Sequence, residues 1–252
     1  MFPIRDEIPS RHAPLLTWAI VAANVVVFAW QLTLSEAQAR QLFYLFGIVP
    51  ARFSDAAWAA RVGFPGAGAL AFLTSMFLHG GLFHLASNMW SLWIFGDNVE
   101  DRMGRLRFLV FYLVCGLVAG GLHWWTNPTS TVPTVGASGA IAGVLGAYLR
   151  WYPTARVLTL VPIFIYPLFL DLPAIVFLGF WFVSQLFSGV LSLGLPADVG
   201  GVAWWAHIGG FLAGMLLSGL FARRGREQLP GPVRHYVLPR ARARRSEARE
   251  WP

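Results

Sequence analysis

Six segments of the chain are apolar over most of their length and are separated by shorter stretches rich in polar residues, glycine and proline. Apolar runs of about 20 residues are long enough to cross a membrane as helices. A barrel would need shorter segments of alternating hydrophobicity, and these runs are continuous. The pattern therefore predicts an all-α membrane protein, a six-helix bundle with spans over residues 14–33, 81–98, 106–126, 136–151, 167–192 and 203–222.

Proline marks several limits of these segments. Pro14 opens the first span and Pro153 follows the fourth, and proline at such positions favours a helix boundary. The sequence thus divides into an N-terminal segment over 1–13, a membrane domain over 14–222 and a tail over 223–252. We expect the tail to be disordered because it is rich in Arg, Pro and Glu.

Composition and charge agree with a membrane protein and give it a direction. Hydrophobic residues make up 56% of the chain and charged residues 12%, which leaves little polar surface to coat a water-soluble globule. Every basic residue is arginine, and sixteen of the nineteen lie on one side of the predicted bundle, so both termini are expected to be cytoplasmic. Nine arginines follow residue 222. Beside a membrane helix they are expected to contact anionic lipid, so the predicted partner is the lipid bilayer and not nucleic acid.

The long stretch from 34 to 78 lies on the outer side in this arrangement. It carries Phe53, Trp58 and Phe64 among glycine, proline and polar residues. Such a mixture favours a structured segment at the membrane surface, with its apolar residues in the interface. A plain extracellular loop is the alternative.

Unusual polar residues fall at a similar depth in three of the spans. The second, fourth and sixth spans all start from the outer side, and each carries its polar residues within its first two turns. At 1.5 Å per residue, these groups lie within roughly 10 Å of the outer surface. Polar groups at membrane depth usually face a cavity or a partner. The residues are His84 and Asn88, with His79 just before them, then Ser138 and His207.

Glycines at four-residue spacing suggest that the fourth and sixth spans touch. Small residues at this spacing let two helix backbones approach closely. A tight contact between these spans would bring Ser138 toward His207. The glycines are Gly136, Gly139, Gly143 and Gly146 on the fourth span, and Gly210 and Gly214 on the sixth.

A serine beside a histidine can perform nucleophilic catalysis. The hydroxyl is a weak nucleophile that needs a base within hydrogen-bonding distance, and imidazole suits that task. The fourth and sixth spans contain no carboxylate, so the sequence supports a Ser138–His207 dyad and not a Ser-His-Asp triad. Candidate donors to the oxyanion are the backbone N–H of Ser138 and the side chains of Asn88 and His84.

Four motifs resemble those of the rhomboid family of intramembrane serine proteases, over residues from about 14 to 222. Gly136-Ala-Ser138-Gly139 resembles the GxSG nucleophile motif, and Ala206-His207 followed by Gly210 and Gly214 resembles AHxxGxxxG. His79, His84 and Asn88 match HxxxxHxxxN. Glu100, Arg102 and Gly104 match ExRxG, for which we expect a structural role at the cytoplasmic end of the second span.

The resemblance implies a function and roles for these residues. It implies that Ser138 is the nucleophile and His207 the general base, with His84, Asn88 and Gly136 around the oxyanion and substrate. The family cuts transmembrane segments of single-pass proteins near their outer end and uses no metal or cofactor. Substrate would enter past the fifth span and the first loop. A compact six-span form suits the bacterial inner membrane.

Two positions depart from patterns found in some family members. An aromatic residue that packs on the histidine can follow the nucleophile by four positions, but Ala142 stands there. We therefore expect Trp204 or Trp205 to orient His207. Trp58 and Arg61 are not adjacent, so they do not match the Trp-Arg pair of the first loop.

Three other functions account for fewer of these observations. A transporter or channel would need charged sites near the middle of the membrane, and Asp171 is the acidic residue nearest to such a position. A metal site built from His79, His84 and His207 would lack a carboxylate or cysteine partner. A catalytically inactive relative that binds membrane helices would usually have lost the serine or the histidine, and both are present here.

Overall fold

Six helices of 14 to 22 residues form the core of the structure, and each overlaps one of the six predicted spans. The computed structural model describes residues 1–64, 68–194 and 201–223. The predicted limits agree closely except at the end of the second span and the start of the fifth. In chain order the helices are α1 (Leu15–Gln31), α2 (Glu36–Phe46), α3 (Pro50–Ser54), α4 (Ala56–Arg61), α5 (Ala71–Thr74), α6 (Leu82–Met103), α7 (Arg105–Thr126), α8 (Ser138–Trp151), α9 (Ala174–Ser192) and α10 (Trp204–Phe221).

Among the described residues, α7, α9 and α10 are long and apolar enough to cross a membrane. Helix α1 is apolar but has 17 residues, α6 carries charged residues near its C-terminal end, and α8 has 14 residues. The prediction of a mostly helical chain with long apolar helices is thus confirmed. The count of six crossings stays a prediction, as does the division of the chain into 1–13, 14–222 and 223–252. The tail from residue 224 onward lies outside the described residues.

The all-α prediction is wrong in one respect, because the structure contains an antiparallel sheet. Strands β1 (Phe2–Asp6), β2 (Arg156–Ile163) and β3 (Tyr166–Pro173) pair in the order β1-β2-β3. The fifth span was predicted to begin at residue 167, but residues 167–173 belong to β3 and α9 begins at Ala174.

Proline explains why the helix starts late. A proline inside a helix removes a backbone hydrogen bond and clashes with the preceding turn, whereas proline is tolerated where a helix begins. Pro167 lies opposite Pro162 near the end of the β2–β3 hairpin, and Pro173 directly precedes the first residue of α9. A continuous apolar run is compatible with either a buried helix or a strand, so its hydrophobicity did not distinguish them.

The Glu100, Arg102 and Gly104 motif at the C-terminal end of α6 connects this helix to α1 and α8. The Glu100 carboxylate accepts hydrogen bonds from the backbone N–H groups of Leu16 and Thr17 at 3.1 and 2.8 Å, and so caps the start of α1. The guanidinium of Arg102 lies 5.1 Å from the centre of the Trp151 ring at the end of α8. Gly104 takes a positive φ of 80° at the turn into α7, a conformation that favours glycine.

The stretch between α1 and α6 is folded, as the sequence suggested. It contains four short helices and a 3₁₀ turn, Ser75–Phe77. A capping box between Ser35 and Gln38 starts α2. The Phe53 ring packs against Phe72 at 5.0 Å and contacts Trp124 of α7 at 5.9 Å, so aromatic side chains attach this segment to the bundle.

Helix α8 occupies the centre of the bundle. It packs on α10, α7 and α6, and every residue over 139–148 is buried. Four glycines bring α8 and α10 close together. A Cβ at Gly210 would collide with the Gly139 carbonyl, and one at Gly214 would collide with the Gly143 carbonyl. The predicted contact between the fourth and sixth spans is therefore present, with glycine required on α10.

A carboxylate cluster fastens β1 to the bundle. Asp6 Oδ2 accepts hydrogen bonds from the Tyr148 hydroxyl at 2.6 Å and from Asn98 Nδ2 at 3.2 Å, so it joins β1 to both α8 and α6. Burial raises the pKa of Asp6 to about 7, and the neighbouring Asp97 carboxylate acts in the same direction. The Asp6 carboxyl group is therefore easier to protonate in the folded protein than in the unfolded chain.

Stability is expected to fall as pH rises through the titration of Asp6. Its pKa is higher in the folded protein than in the unfolded chain, so its proton stabilises the fold fully below about pH 4 and progressively less up to about pH 7. Asp6→Asn, which keeps the shape without the charge, should flatten the dependence of Tm on pH in detergent. Glu7→Gln is the matched control and should keep the wild-type slope; an equal slope in the Asp6 variant would contradict the prediction.

Candidate active site

Ser138 and His207 meet where α8 and α10 begin. Ser138 is the first residue of α8, and His207 lies in the first turn of α10. The Ser138 Oγ and His207 Nε2 atoms are 2.8 Å apart, which is hydrogen-bonding distance. The close contact between the two helices just below, at Gly139 and Gly210, fixes this separation. The structure thus brings together the two residues that the sequence proposed as a dyad.

The second nitrogen of the His207 ring, Nδ1, contacts α9, and this contact was not predicted from the sequence. Gln185 Oε1 lies 2.8 Å from His207 Nδ1, and the Gln185 side chain is buried. The Gln185 amide nitrogen in turn donates to the Trp181 carbonyl at 3.3 Å and to Ser184 Oγ at 3.0 Å. Because the amide nitrogen is used elsewhere, the amide oxygen faces the imidazole and can accept its Nδ1 proton.

Aromatic rings complete the surroundings of His207. Trp181 lies 5.9 Å from it, at an interplanar angle of 33°, and Trp204 lies 6.3 Å away, edge to face. Trp204 was one of two expected neighbours, and Trp181 was missed. Ala142 is buried in α8, so no aromatic ring reaches the histidine from that position.

A signal for Gln185 was present in the sequence. It follows Ser184 within the apolar run 174–192, and polar residues inside such a run are expected to face a partner. The run itself does not reveal which helix supplies that partner, because the pairing of α9 with α10 depends on tertiary packing.

His84, Asn88 and Gly136 lie close together at the wall of the cavity that Ser138 also borders. A Cβ on Gly136 would lie 2.7 Å from His84 Nε2 and 3.7 Å from Asn88 Nδ2. Gly136 has a positive φ of 129°, so both its conformation and its surroundings favour glycine. The Asn88 side chain is buried, and its amide nitrogen has no hydrogen-bond partner within the described part of the chain.

The backbone around His84 defines which ring nitrogen can donate. The Gly80 N–H donates to His84 Nδ1 at 3.4 Å, so in the neutral ring the proton resides on Nε2, the atom that faces Gly136. His84 and Asn88 together can therefore offer two N–H groups beside Ser138.

His79 lies behind this pair and has a different environment. Its ring is buried 5.0 Å from that of His84, and its backbone N–H and carbonyl both bond to the Gln31 side chain of α1, at 3.1 and 2.9 Å. Burial, together with His84, lowers the pKa of His79 to about 4, so the ring is neutral at physiological pH. Its position supports α6 from behind, as a structural residue would.

An open cavity gives access to the two residues. Its volume is about 810 Å³, and Ser138, His207, His84 and Asn88 contribute to its wall. The loop between α7 and α8 and the residues before α10 form much of the remainder. Among the described residues, no three His, Cys, Asp or Glu side chains are grouped so that they could hold a metal ion.

Comparison with known proteins identifies the family of this chain. The family model for the Rhomboid domain matches residues 67–224. The chain is similar to Rhomboid protein 1, mitochondrial, of Saccharomyces cerevisiae, with 27% identity over 58% of this chain and 40% of that protein. It is 28% identical to RHOMBOID-like protein 1 of Arabidopsis thaliana, over 92% of this chain and 60% of that protein.

A third relative matches a shorter part of the chain at higher identity. Rhomboid protease GluP of Bacillus subtilis is 44% identical over 31% of this chain and 15% of that protein, so each of these matches covers less than two thirds of the relative's length. The domain match covers more than half of this chain and includes both Ser138 and His207. Rhomboid domains are membrane-embedded helical bundles, in agreement with the long apolar helices. The chain therefore belongs to the rhomboid family and is a multi-pass membrane protein.

Proposed function

We propose that this protein is an intramembrane serine endopeptidase that uses Ser138 and His207. The observation that carries the proposal is the 2.8 Å contact between Ser138 Oγ and His207 Nε2, at the wall of an open cavity. A serine hydroxyl becomes an effective nucleophile when a base at this distance can take its proton. Rhomboid protease GluP, which is similar over part of the chain, is named as a protease and supports the same reaction class.

Gln185 defines the form of the base. Its amide oxygen accepts the Nδ1 proton of His207, so Nε2 carries a lone pair directed at Ser138 Oγ. Ser138 Oγ then attacks the carbonyl carbon of the peptide bond while its proton moves to His207 Nε2. The imidazolium that forms returns this proton to the leaving amine as the C–N bond breaks.

The tetrahedral intermediate is stabilised by donors near Gly136, two residues before Ser138. Its oxyanion requires donors that are already in place. The Asn88 amide nitrogen is buried and has no partner among the residues that the structure describes, and His84 Nε2 lies beside Gly136, so both can donate to that oxygen. The Ser138 N–H adds a third donor, since the first N–H groups of a helix have no partner within it.

Hydrolysis of the acyl-enzyme completes the cycle. A water molecule from the cavity gives its proton to His207 Nε2 and attacks the ester carbonyl. Collapse of the second intermediate breaks the bond to Ser138 Oγ, which recovers the proton from His207. The cavity opens at the end of the bundle where α8 and α10 begin, so water reaches the site from that side.

The substrates we propose are transmembrane segments of single-pass proteins, cut near their outer end. Among the described helices that are long and apolar enough to cross a membrane, α9 is the most exposed. Of its most apolar 18 residues, 28% are buried in the protein, whereas the corresponding share is 44% for α7 and for α10. A segment in the bilayer can therefore approach the dyad along α9. With both termini cytoplasmic, as the arginines predict, the cavity opens on the outer face of a bacterial inner membrane.

An active-site probe tests this proposal. A fluorophosphonate should label the purified protein in detergent, and Ser138→Ala should abolish the labelling because the reacting oxygen is gone. Ser87→Ala is the matched control, since the Ser87 hydroxyl borders the same cavity but donates to the His84 carbonyl at 3.0 Å. Labelling that survives Ser138→Ala, or that disappears in Ser87→Ala, would overturn the assignment of the nucleophile.

A further inference from the structure

The β2–β3 hairpin carries an apolar end whose side chains are largely exposed. Residues 160–170 contain no charged side chain. Phe164 and Ile165 at the turn are 99% and 85% exposed, and Phe169 is 57% exposed. Side chains project to both faces of a hairpin, and both faces are apolar here. Water is an unfavourable environment for such a surface.

The charged residues of the sheet lie at its other end. Arg156 is opposite Pro173, and Asp171 is opposite Leu158, at the base of the hairpin. On β1, Asp6 is opposite Val157, again at the base. Polarity therefore changes along the length of the sheet and not between its two faces.

Contacts of β1 give the direction of the sheet. Asp6 bonds to Asn98 near the C-terminal end of α6, whereas the Pro3 carbonyl accepts a hydrogen bond from Trp90 Nε1 at 2.6 Å. Trp90 precedes Asn98 by eight residues, which is about 12 Å along a helix. The sheet therefore runs beside α6 toward the middle of the bundle.

The hairpin extends farther in the same direction. Phe2 at the start of β1 is opposite Leu160, and β2 continues past this position to Ile163 and the exposed turn. Strands rise about 3.3 Å per residue, so the turn lies beyond the level of Trp90. Its base directly precedes α9, which is apolar and long enough to cross a membrane.

We propose that the β2–β3 hairpin enters the bilayer from the end of the bundle where α8 ends and α9 begins, so that its turn lies among the acyl chains of the lipid. Arginine distribution predicts that the hairpin enters from the cytoplasmic side. Lipid covers the exposed Phe164 and Ile165, while Arg156 and Asp171 remain at the headgroups. Strand β2 pairs with β3 along its whole length and with β1 over part of it. Pro162 and Pro167 have no N–H group, so few unpaired backbone donors face the lipid.

Depth-dependent quenching tests the insertion. Cys115, the single cysteine of the chain, is first replaced by alanine so that a label attaches at one position only. Ile165→Cys and, separately, Asp171→Cys are then introduced, labelled with an environment-sensitive fluorophore and reconstituted in phosphatidylcholine–phosphatidylglycerol vesicles. Lipids with a nitroxide on the acyl chain should quench the label at 165 several-fold more than the label at 171, and aqueous iodide should show the reverse order. Circular dichroism checks that each variant is folded. Phe164→Cys provides a second labelled position in the turn if Ile165→Cys does not fold.

Two results would overturn the proposal. Equal quenching of both positions by iodide would place the hairpin in water. Energy transfer between labels at 165 that increases with protein density in the vesicles, without quenching by lipid nitroxides, would show that a second copy covers the hairpin. The experiment requires no enzymatic activity, so it is independent of the function of Ser138 and His207.

Discussion

Replacing Ser138 or His207 with alanine is expected to reduce cleavage of a model transmembrane substrate by about 10⁴-fold or more, since nucleophile and base act as one unit. The double variant should be no less active than either single variant, because each change already removes the shared step. Initial rates in detergent and in vesicles measure both effects.

The control for this prediction is again Ser87→Ala, which removes a hydroxyl from the same cavity but leaves the dyad intact. Thermal unfolding in detergent should show that all variants are folded, since Ser138 and His207 are partly exposed to the cavity and their truncation leaves the core unchanged. Cleavage near the wild-type rate in either single variant would exclude the proposed dyad.

Gln185→Leu is expected to give the second largest loss, about 10- to 100-fold in kcat with little change in KM. The substitution keeps an apolar side chain of similar size but removes the oxygen 2.8 Å from His207 Nδ1. The imidazole can then adopt the wrong tautomer or rotate away from Ser138. Losses of about 10- to 100-fold accompany removal of the hydrogen-bond partner of a metal-bound histidine, whose ring is oriented in the same way. A neutral amide should matter less than the aspartate of a triad.

Gln185→Glu should recover much of the lost rate, because a carboxylate also accepts the Nδ1 proton. Ser192→Ala is the matched control on the same helix and should retain the wild-type rate, because the Ser192 hydroxyl donates to the Gly189 carbonyl at 2.6 Å and not to Gln185. Labelling rates with the small fluorophosphonate should follow the same order, which separates an effect on the base from an effect on substrate entry. A purely structural role for Gln185 would instead leave the labelling rate of a folded Gln185→Leu protein unchanged, or would make the Glu variant as slow as the Leu variant.

The sequence was most informative where one physical constraint acts alone. Long apolar runs located the six long helices, and polar residues within them indicated that Ser138, His207, His84 and Asn88 share one layer. The glycines of α8 and α10 indicated which helices touch. Each of these inferences needs only the periodicity of a helix and the unfavourable placement of polar groups in lipid.

Features that depend on long-range pairing could not be read in the same way. Strands β1 and β2 are separated by some 150 residues, and the run 157–173 is equally compatible with a buried helix by hydrophobicity. Its three prolines, at 162, 167 and 173, are incompatible with a regular helix, and they are the feature of the sequence that indicates strands here. Gln185 was likewise visible as a polar residue, but its contact with His207 depends on how α9 packs against α10.

Two helices that differ in burial contact the imidazole of His207. Ser138 belongs to α8, which is enclosed by its neighbours, whereas Gln185 belongs to α9, much of whose surface is bare. An outward tilt of α9 by a few ångströms would break the 2.8 Å bond to His207 Nδ1 and leave α8 in place. Activation of Ser138 would therefore stop while α9 is displaced and resume when the bond to Gln185 forms again, so that the Ser138 hydroxyl would not react with acyl groups of the lipid in the meantime.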